Sequence, residues 1–170
     1  MKLVPDMSAT VTIDPELERL RNEATLLEAI AKDKPEVLPA SQDATGELQA
    51  YDPKDADCPA LVVGYIPPGK VTELNAALSE IADLPTQRAK IVRLGEINRD
   101  FCRWSLRGWA LKNTKGDAVP FLAKTEKFRG QDHPVADETM LDILELMKWL
   151  GPVARYVQEL NNLGEEMRKK

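Results

Sequence analysis

Residues 87–121 read QRAKIVRLGEINRDFCRWSLRGWALKNTKGDAVPF, and this stretch decides the predicted fold. Its first part repeats apolar residues at helical spacing, which predicts an amphipathic helix from about Thr86 to Gly108. The predicted apolar face of this helix comprises Leu94, Ile97, Phe101, Trp104 and Gly108. Arginines at positions 99, 103 and 107 fall on the opposite face. The stretch therefore predicts a helix with one face for packing and one strongly basic face.

The second part of this stretch predicts a β-hairpin. Short segments at 110–112 and 118–121 flank the turn-rich sequence NTKGD. Pro120 lacks a backbone N–H, which confines the second strand to an edge. Upstream, the β-branched segment LVVGYI at 61–66 predicts a short edge strand that enters the turn formed by Pro67, Pro68 and Gly69.

The chain before residue 60 predicts one helix and an arm. Asp14 followed by Pro15 is typical of a helix N-terminus, and Pro35 ends the apolar stripe that follows. Residues 38–59 contain three prolines, several acids and few large apolar residues, which predicts a linker or extended acidic arm. A surface loop folded back on its own domain is an equally good interpretation.

The remaining helices follow from capping and breaking residues. Thr72 predicts the start of a helix that ends before Pro85. A C-terminal helical block begins near Asp137, and Gly151-Pro152 predicts a kink within it. The fold prediction is thus a mainly α protein with a small β element, an N-terminal helix on an acidic arm and a kinked C-terminal helical pair. Its predicted division is 1–57 (helix and arm) and 58–170 (helical core domain with hairpin).

Composition argues against most enzyme classes. His133 is the single histidine and is predicted to lie in an exposed loop, so a histidine-based metal cluster is excluded. Cys102 has cationic neighbours, but its position at the border of the apolar face favours a packing role over a reactive thiol. Neither GxxxxGK[ST] nor GxGxxG occurs. We therefore expect a non-enzymatic protein without cofactor or metal.

Cysteine content and the absence of long apolar runs predict an intracellular protein. Two cysteines without close spacing fit a reducing compartment. The N-terminus lacks the apolar core of a secretory signal, and no apolar run approaches the roughly 18 residues of a membrane span. The expected location is the cytoplasm, with no membrane partner.

The predicted partner-binding residues are Arg99, Arg103, Arg107, Trp109 and Phe121. The arginine face suits an acidic protein partner, although it also matches a phosphate backbone or a solvated face paired with neighbouring acids. The net charge of −5 disfavours nucleic acid. Trp109, at the helix exit, is either an interface anchor or a plain packing residue.

Seven residues carry a resemblance to a known family: Gly108, Trp109, Leu111, Gly116, Val119, Pro120 and Phe121. Their pattern, with the strand and helix before it, resembles the tail assembly chaperones and related small tail-morphogenesis proteins of tailed bacteriophages. The resemblance covers 61–121 and implies a protein that shields tape-measure helices and recruits tail-tube subunits in the host cytoplasm.

Residues 1–57 depart from that pattern. An arm of this kind suits a structural virion component, at the head–tail junction or in the tail, that reaches onto a neighbouring subunit. This is the first alternative function, and a nucleic-acid-binding module using the arginines of 88–107 is the second. The apolar helices also fit a homo-oligomer, either a dimer or a ring.

Overall fold

A computed structural model describes residues 9–52 and 59–169, with side chains described as far as residue 162. The described chain is mainly helical with two small antiparallel sheets, which confirms the predicted fold class. In chain order the elements are β1 (Thr10–Ile13), α1 (Pro15–Asp33), α2 (Leu38–Ala50), β2 (Ala60–Gly64), α3 (Pro68–Glu80), α4 (Gln87–Ser105), β3 (Leu106–Lys112), β4 (Ala118–Val119), β5 (Ala123–Phe128), β6 (Gln131–Ala136), α5 (Glu138–Leu146) and α6 (Leu150–Lys169).

Helix α1 begins as the sequence predicts. The carboxylate of Asp14 accepts hydrogen bonds from the backbone N–H groups of Glu16 and Leu17, at 3.0 and 3.1 Å. These bonds satisfy two of the donors that a helix N-terminus leaves free. The hydroxyl of Tyr51 also donates to Asp14, at 2.9 Å, and this contact ties the end of α2 to the start of α1.

The predicted acidic arm is wrong over most of its described length, because Leu38–Ala50 forms helix α2 and packs against α1. Pro39 is compatible with this helix, since it lies in the first turn where its missing N–H is not needed. Ser41 and Ala44 are the buried residues of α2, and small side chains allow the two helices to approach closely. Residues 53–58 of the predicted arm lie outside the described part of the chain.

The larger sheet has the order β1-β2-β3-β4, and every neighbouring pair is antiparallel. Strand β2 pairs with both β1 and β3, so the predicted edge position of this strand is wrong. Strand β1 was not predicted; it is four residues long, and its Ile13 enters the core. Because β1 pairs with β2, the N-terminal region and the rest of the described chain share one sheet.

Helix α4 starts at the predicted cap, where the hydroxyl of Thr86 accepts a hydrogen bond from Ala89 N–H at 3.1 Å. It ends at Ser105, so Arg107 and Gly108 belong to strand β3 and not to the helix. Its predicted apolar residues at 97, 101 and 104 are buried, but Leu94 is 42 % exposed. Helix α3 begins at Pro68, and the hydroxyl of Thr72 donates back to the Pro68 carbonyl instead of capping the helix.

The loop predicted around His133 is a strand. Strands β5 and β6 form a hairpin closed by Arg129 and Gly130, whose φ angles are 51° and 81°. Two consecutive left-handed residues are typical of two-residue hairpin turns, because the twist of such a turn matches the right-handed twist of the flanking strands. Pro134 obscured this strand in the sequence, and a proline is tolerated because β6 has a pairing partner on one side only within the described residues.

The C-terminal helices break before the predicted kink. Asp137 caps α5, the helix ends at Leu146, and Lys148 adopts a left-handed φ of 60°. The Trp149 N–H then donates to the Leu144 carbonyl at 2.8 Å, which closes the end of α5. Pro152 lies in the first turn of α6, a position where it does not interrupt the helix.

The core lies between the larger sheet and helices α4, α5 and α6. Its largest fully buried side chains include Leu61, Ile66, Ile97, Phe101 and Leu144. None of the helices in the described ranges combines the length and the apolar character needed to cross a membrane.

Candidate protein-binding site

The β3–β4 hairpin is present as predicted, with Leu111 opposite Val119 and Lys112 opposite Ala118. Its turn is organised by Asn113, whose side-chain oxygen accepts hydrogen bonds from the N–H groups of residues 115 and 117, each at 2.9 Å. Gly116 has a φ of 85°, a conformation that glycine adopts without steric cost. The NTKGD sequence therefore specifies the turn locally.

Trp109 and Phe121, two of the predicted partner-binding residues, contact each other. Their rings meet edge to face with centroids 5.5 Å apart, and the Trp109 indole donates a 2.8 Å hydrogen bond to the Val119 carbonyl. Both side chains are half-buried against the core. Trp109 thus fixes β4 and the chain after it to β3, and this packing role is independent of any partner.

An open groove of about 940 Å³ lies beside this hairpin. We name it the hairpin groove and define it by its apolar lining residues, Leu111, Val119, Ile143, Met147 and Trp149. The hairpin contributes one part of the lining, and the end of α5 with the connection to α6 contributes another through Ile143, Met147 and Trp149. The remaining lining comes mainly from the hairpin turn and from the region around Glu16 and Tyr51.

Large apolar side chains are exposed where α5 ends at this groove. Met147 is 46 % exposed and lines the groove, and its neighbour Leu146 is 81 % exposed. Leu122, just after the hairpin, is also exposed. Of these three residues only Met147 lines the groove. Scattered exposed apolar residues are ordinary, but an exposed apolar side chain within an apolar groove is typical of a binding surface.

Arg99 lies apart from this groove and is occupied by intramolecular partners. Its guanidinium donates to Glu138, Asp142 and Glu145 of α5, at 2.9, 2.7 and 2.7 Å. Burial by itself lowers the pKa of Arg99, but hydrogen bonds to Asp142 and Glu138 outweigh it and raise that pKa above its ordinary value. Arg99 therefore holds α5 against α4.

Arg103 and Arg107 are also engaged within the chain. Arg103 forms ion pairs with Glu126 and Glu138, while its Nε atom is buried without a hydrogen-bond partner. Arg107 extends from β3 and donates to the carbonyls of residues 65, 106 and 134. Burial lowers the pKa of Arg107 below its ordinary value. The structure thus places Arg99 and Arg103 on α4, whereas Arg107 shares strand β3 with Trp109 and has its donors on backbone carbonyls.

The two other side chains considered for catalysis or metal binding, Cys102 and His133, pack against neighbouring residues. Cys102 is fully buried, which raises the pKa of its thiol, and its sulfur lies 3.5 Å from the Leu150 carbonyl. His133 packs near the rings of Trp104 and Phe128. Among the residues described, no group of three or more histidine, cysteine or acidic side chains could hold a metal ion.

The α5 side of the hairpin groove was not predicted from the sequence. Ile143 and Met147 belong to the predicted C-terminal helical block, but neither they nor Trp149 were among the predicted partner-binding residues. The missed signal is the sequence MKWL at 147–150, in which Trp149 and Leu150 are buried whereas Met147 stays 46 % exposed. Comparison of the chain with protein-family models, with curated proteins and with solved structures gave no match.

Proposed function

We propose that this protein is a non-enzymatic protein-binding factor in phage tail morphogenesis that acts in the manner of a tail assembly chaperone. The proposal starts from the sequence RGWALKNTKGDAVPF at 107–121, which resembles that family. The single observation that carries the protein-binding part is the hairpin groove, because residues of this same stretch contribute to its lining.

The groove has properties that suit a reversible interface. Its lining is mostly apolar, so burying it removes apolar surface from water, which is the main driving force of association. Its rim includes Met147, whose flexible thioether adapts to partners of different shape. A chaperone must release its client, and an open groove of this size favours moderate affinity over permanent association.

The arginines predicted to bind phosphate give little support to the nucleic-acid alternative, because most of them contact other groups of the same chain. Arg99 faces three carboxylates, and any phosphate would have to displace them. Arg107 has its donors on backbone carbonyls. The basic residues predicted to contact phosphate are thus largely committed within the chain, and protein binding through the groove is the better proposal.

Affinity capture tests the proposed function. The tagged protein is purified from virus-producing host cells, co-purifying proteins are identified by mass spectrometry, and finished particles are analysed for the same protein. A chaperone is expected to capture the tape-measure protein and to be absent from particles. Capture of nucleic acid alone, or of no phage protein, contradicts the proposal.

The same experiment distinguishes a chaperone from the alternative function, a structural component of the virion. A virion component remains in purified particles at a stoichiometry comparable with that of other tail or head–tail proteins.

A pair of variants tests whether partner capture depends on the hairpin groove. Met147→Glu places a charge in the groove at an exposed position. Leu26→Glu is its control, since Leu26 is 57 % exposed on α1 and does not line the groove. Loss of capture in the first variant alone assigns the interaction to the groove.

A further inference from the structure

We propose that this protein forms a two-fold symmetric dimer in which the N-terminal halves of two α4 helices pair in antiparallel orientation. The contact surface is formed by Arg88, Ile91, Val92 and Gly95, which we name the α4 strip. It assigns a surface and a symmetry to the homo-oligomer that the sequence left open between a dimer and a ring. The strip shares no residue with the hairpin groove, so the inference goes beyond the proposed function and does not depend on it.

The α4 strip is apolar surface that its own chain leaves uncovered. Ile91 is 61 % exposed and Val92 is 55 % exposed, although both lie within a 19-residue helix. Residues three and four apart share a helix face, so these two side chains are neighbours of Arg88 and Gly95. The buried Ile97 lies on the opposite side of α4. Covering the strip therefore requires a second molecule, and it removes apolar surface from water.

Gly95 allows another helix to approach the strip closely. A Cβ atom added at this position would have no atom within 4 Å, so packing within the chain does not require glycine there. Glycine in a helix interior also weakens the helix relative to alanine. Gly46 of α2 is equally open, but its neighbours one turn earlier are the polar residues Gln42 and Asp43. Only Gly95 lies beside exposed β-branched residues, where a missing side chain lets two helix axes come near each other.

The order of residues on the strip selects a second copy of this chain as the partner. Arg88 stands three residues before Ile91, and Gly95 stands three residues after Val92, so the spacing is the same in both directions. In an antiparallel pair centred between 91 and 92, each Ile91 faces Val92 of the other copy. Each Arg88 then faces Gly95, where the absent side chain leaves room for the long arginine. One two-fold axis makes all of these contacts at once.

Charges beside the strip are complementary under the same symmetry. Arg88 is exposed and forms no ion pair within the described ranges. Beyond Gly95 of the other copy it would reach Glu96, an exposed carboxylate that Arg93 contacts at 2.8 Å. Glu145 of α5 lies on the same side, because it pairs with Arg99, one turn after Gly95. Each copy thus offers a cation to the carboxylates of the other.

The other charges at this end of α4 are compatible with the pairing. Lys90 and Arg93 lie on the side of the helix away from the strip, because successive residues are about 100° apart. Glu80 and Asp83 precede α4 and lie outside the paired residues 88–95. With one cation among apolar residues, the strip is too weakly charged to favour a nucleic acid. A second copy supplies both the apolar surface and the carboxylates.

Sedimentation velocity of the full-length protein between about 5 and 500 µM tests the dimer. Because the paired segment is short, we expect a reversible equilibrium with a Kd on the order of 10 µM. Ile91→Glu should raise this Kd roughly tenfold or more, since it places a charge at the centre of the contact. Leu26→Glu is the matched control, because Leu26 is 57 % exposed on α1. Gly95→Gln should also weaken the dimer, whereas Gly46→Gln should not.

An exchange of charge tests the antiparallel register. Arg88→Glu and Glu96→Arg each place like charges together at both ends of the dimer, so each alone should raise the Kd roughly tenfold. An equimolar mixture of the two variants restores opposite charges at both ends, and it should form a mixed dimer with near wild-type affinity. Native mass spectrometry identifies the mixed dimer by its mass. Circular dichroism and thermal unfolding verify that each variant is folded.

Four results would overturn the inference. These are a wild-type protein that stays monomeric at every concentration, a larger assembly in place of the dimer, a dimer unaffected by Ile91→Glu, and a mixture of charge variants that associates no better than either variant alone. Met147→Glu in the hairpin groove should leave the dimer intact. The proposed function is judged separately, since it fails only if the wild-type protein captures no phage tail protein from cells.

Discussion

The indole nitrogen of Trp149 donates a 2.8 Å hydrogen bond to the carboxylate of Glu16, which lies 133 residues earlier in the chain. Glu16 is in the first turn of α1, and Trp149 immediately precedes α6. Arg19 holds the same carboxylate from the other side. This shared carboxylate therefore fixes the N-terminal helix to the junction that contributes to the lining of the hairpin groove.

Trp149→Phe tests the strength of this link. The variant keeps an aromatic ring in the buried position but removes the donor, and Glu16 loses one of its partners. Hydrogen bonds to charged groups contribute roughly 1.5–3 kcal/mol, so we expect the free energy of unfolding to fall by about 2 kcal/mol. Urea unfolding followed by circular dichroism measures this. A midpoint equal to that of the wild type would show that the bond contributes nothing to stability.

Acid stability depends on Asp137, the cap of α5. Its pKa is lowered to about 2, chiefly by the hydrogen bond from Lys124 and then by the backbone and side chain of Thr139. The folded state thus binds fewer protons than the unfolded state, so the stability due to Asp137 is present above the ordinary aspartate pKa and is lost as pH falls toward 2. Hydrogen bonding to Arg19 lowers the pKa of Glu16, which acts in the same direction.

Asp137→Asn is the variant that tests this. Asparagine retains capping ability but has no charge, so the urea midpoint should decline less between about pH 5 and pH 2.5 than in the wild type. Asp33→Asn provides the control, since Asp33 is exposed and has no hydrogen bond or ion pair in the described part of the chain. Identical pH profiles for wild type and Asp137→Asn would contradict the assignment.

Local capping signals account for the elements that the sequence predicted correctly. Asp14, Thr86 and Asp137 each accept backbone N–H groups within three residues, so their effect is encoded in neighbouring sequence. The NTKGD turn is likewise closed by Asn113 alone. Such features do not depend on distant parts of the chain, and a single sequence is sufficient to recognise them.

The missed elements depend on tertiary packing. Helix α2 has weak local signals, including Gly46 and a polar composition, and it is stabilised by packing on α1 through small residues such as Ala44. The β5–β6 hairpin requires Arg129 in a left-handed conformation, which is uncommon for arginine and is not indicated by the local sequence. The hairpin groove arises because residues 111–119 and 143–149 meet only in the folded chain.

Trp109→Phe separates the packing role of Trp109 from a role in partner binding. Phenylalanine retains the ring that contacts Phe121 but leaves the Val119 carbonyl without the indole donor. We expect the free energy of unfolding to fall by about 1 kcal/mol, the typical contribution of a neutral hydrogen bond. If stability changes as expected while partner capture is unaffected, Trp109 acts through packing alone. A loss of capture without loss of stability would make Trp109 a direct contact.

Cys102 is expected to be unreactive in the folded protein. Its thiol is fully buried, burial raises its pKa, and only the thiolate attacks alkylating reagents. Iodoacetamide labelling followed by peptide mapping should detect modification of Cys102 only after urea is added. Mapping by peptide keeps this result separate from that of Cys58, which lies outside the described residues. Rapid labelling of Cys102 under native conditions would contradict its place in the core.

Arg99→Gln is expected to destabilise the contact between α4 and α5 in a salt-dependent way. The guanidinium of Arg99 donates hydrogen bonds to the carboxylates of Glu138, Asp142 and Glu145. Without it, three carboxylates on one helix face repel one another. We expect a loss of roughly 1 kcal/mol at low ionic strength and a smaller loss at 1 M salt, where screening acts over about 3 Å.

A second variant identifies repulsion as the cause. Adding Glu138→Gln, Asp142→Asn and Glu145→Gln to the Arg99→Gln protein removes the three negative charges together with the positive one. If repulsion dominates, the combined variant regains stability relative to Arg99→Gln and loses most of its salt dependence. If the combined variant is less stable still, the hydrogen-bond geometry of the cluster matters more than its charge. In either case Arg99 acts within the chain, and only a loss of partner capture at unchanged stability would restore it as a binding residue.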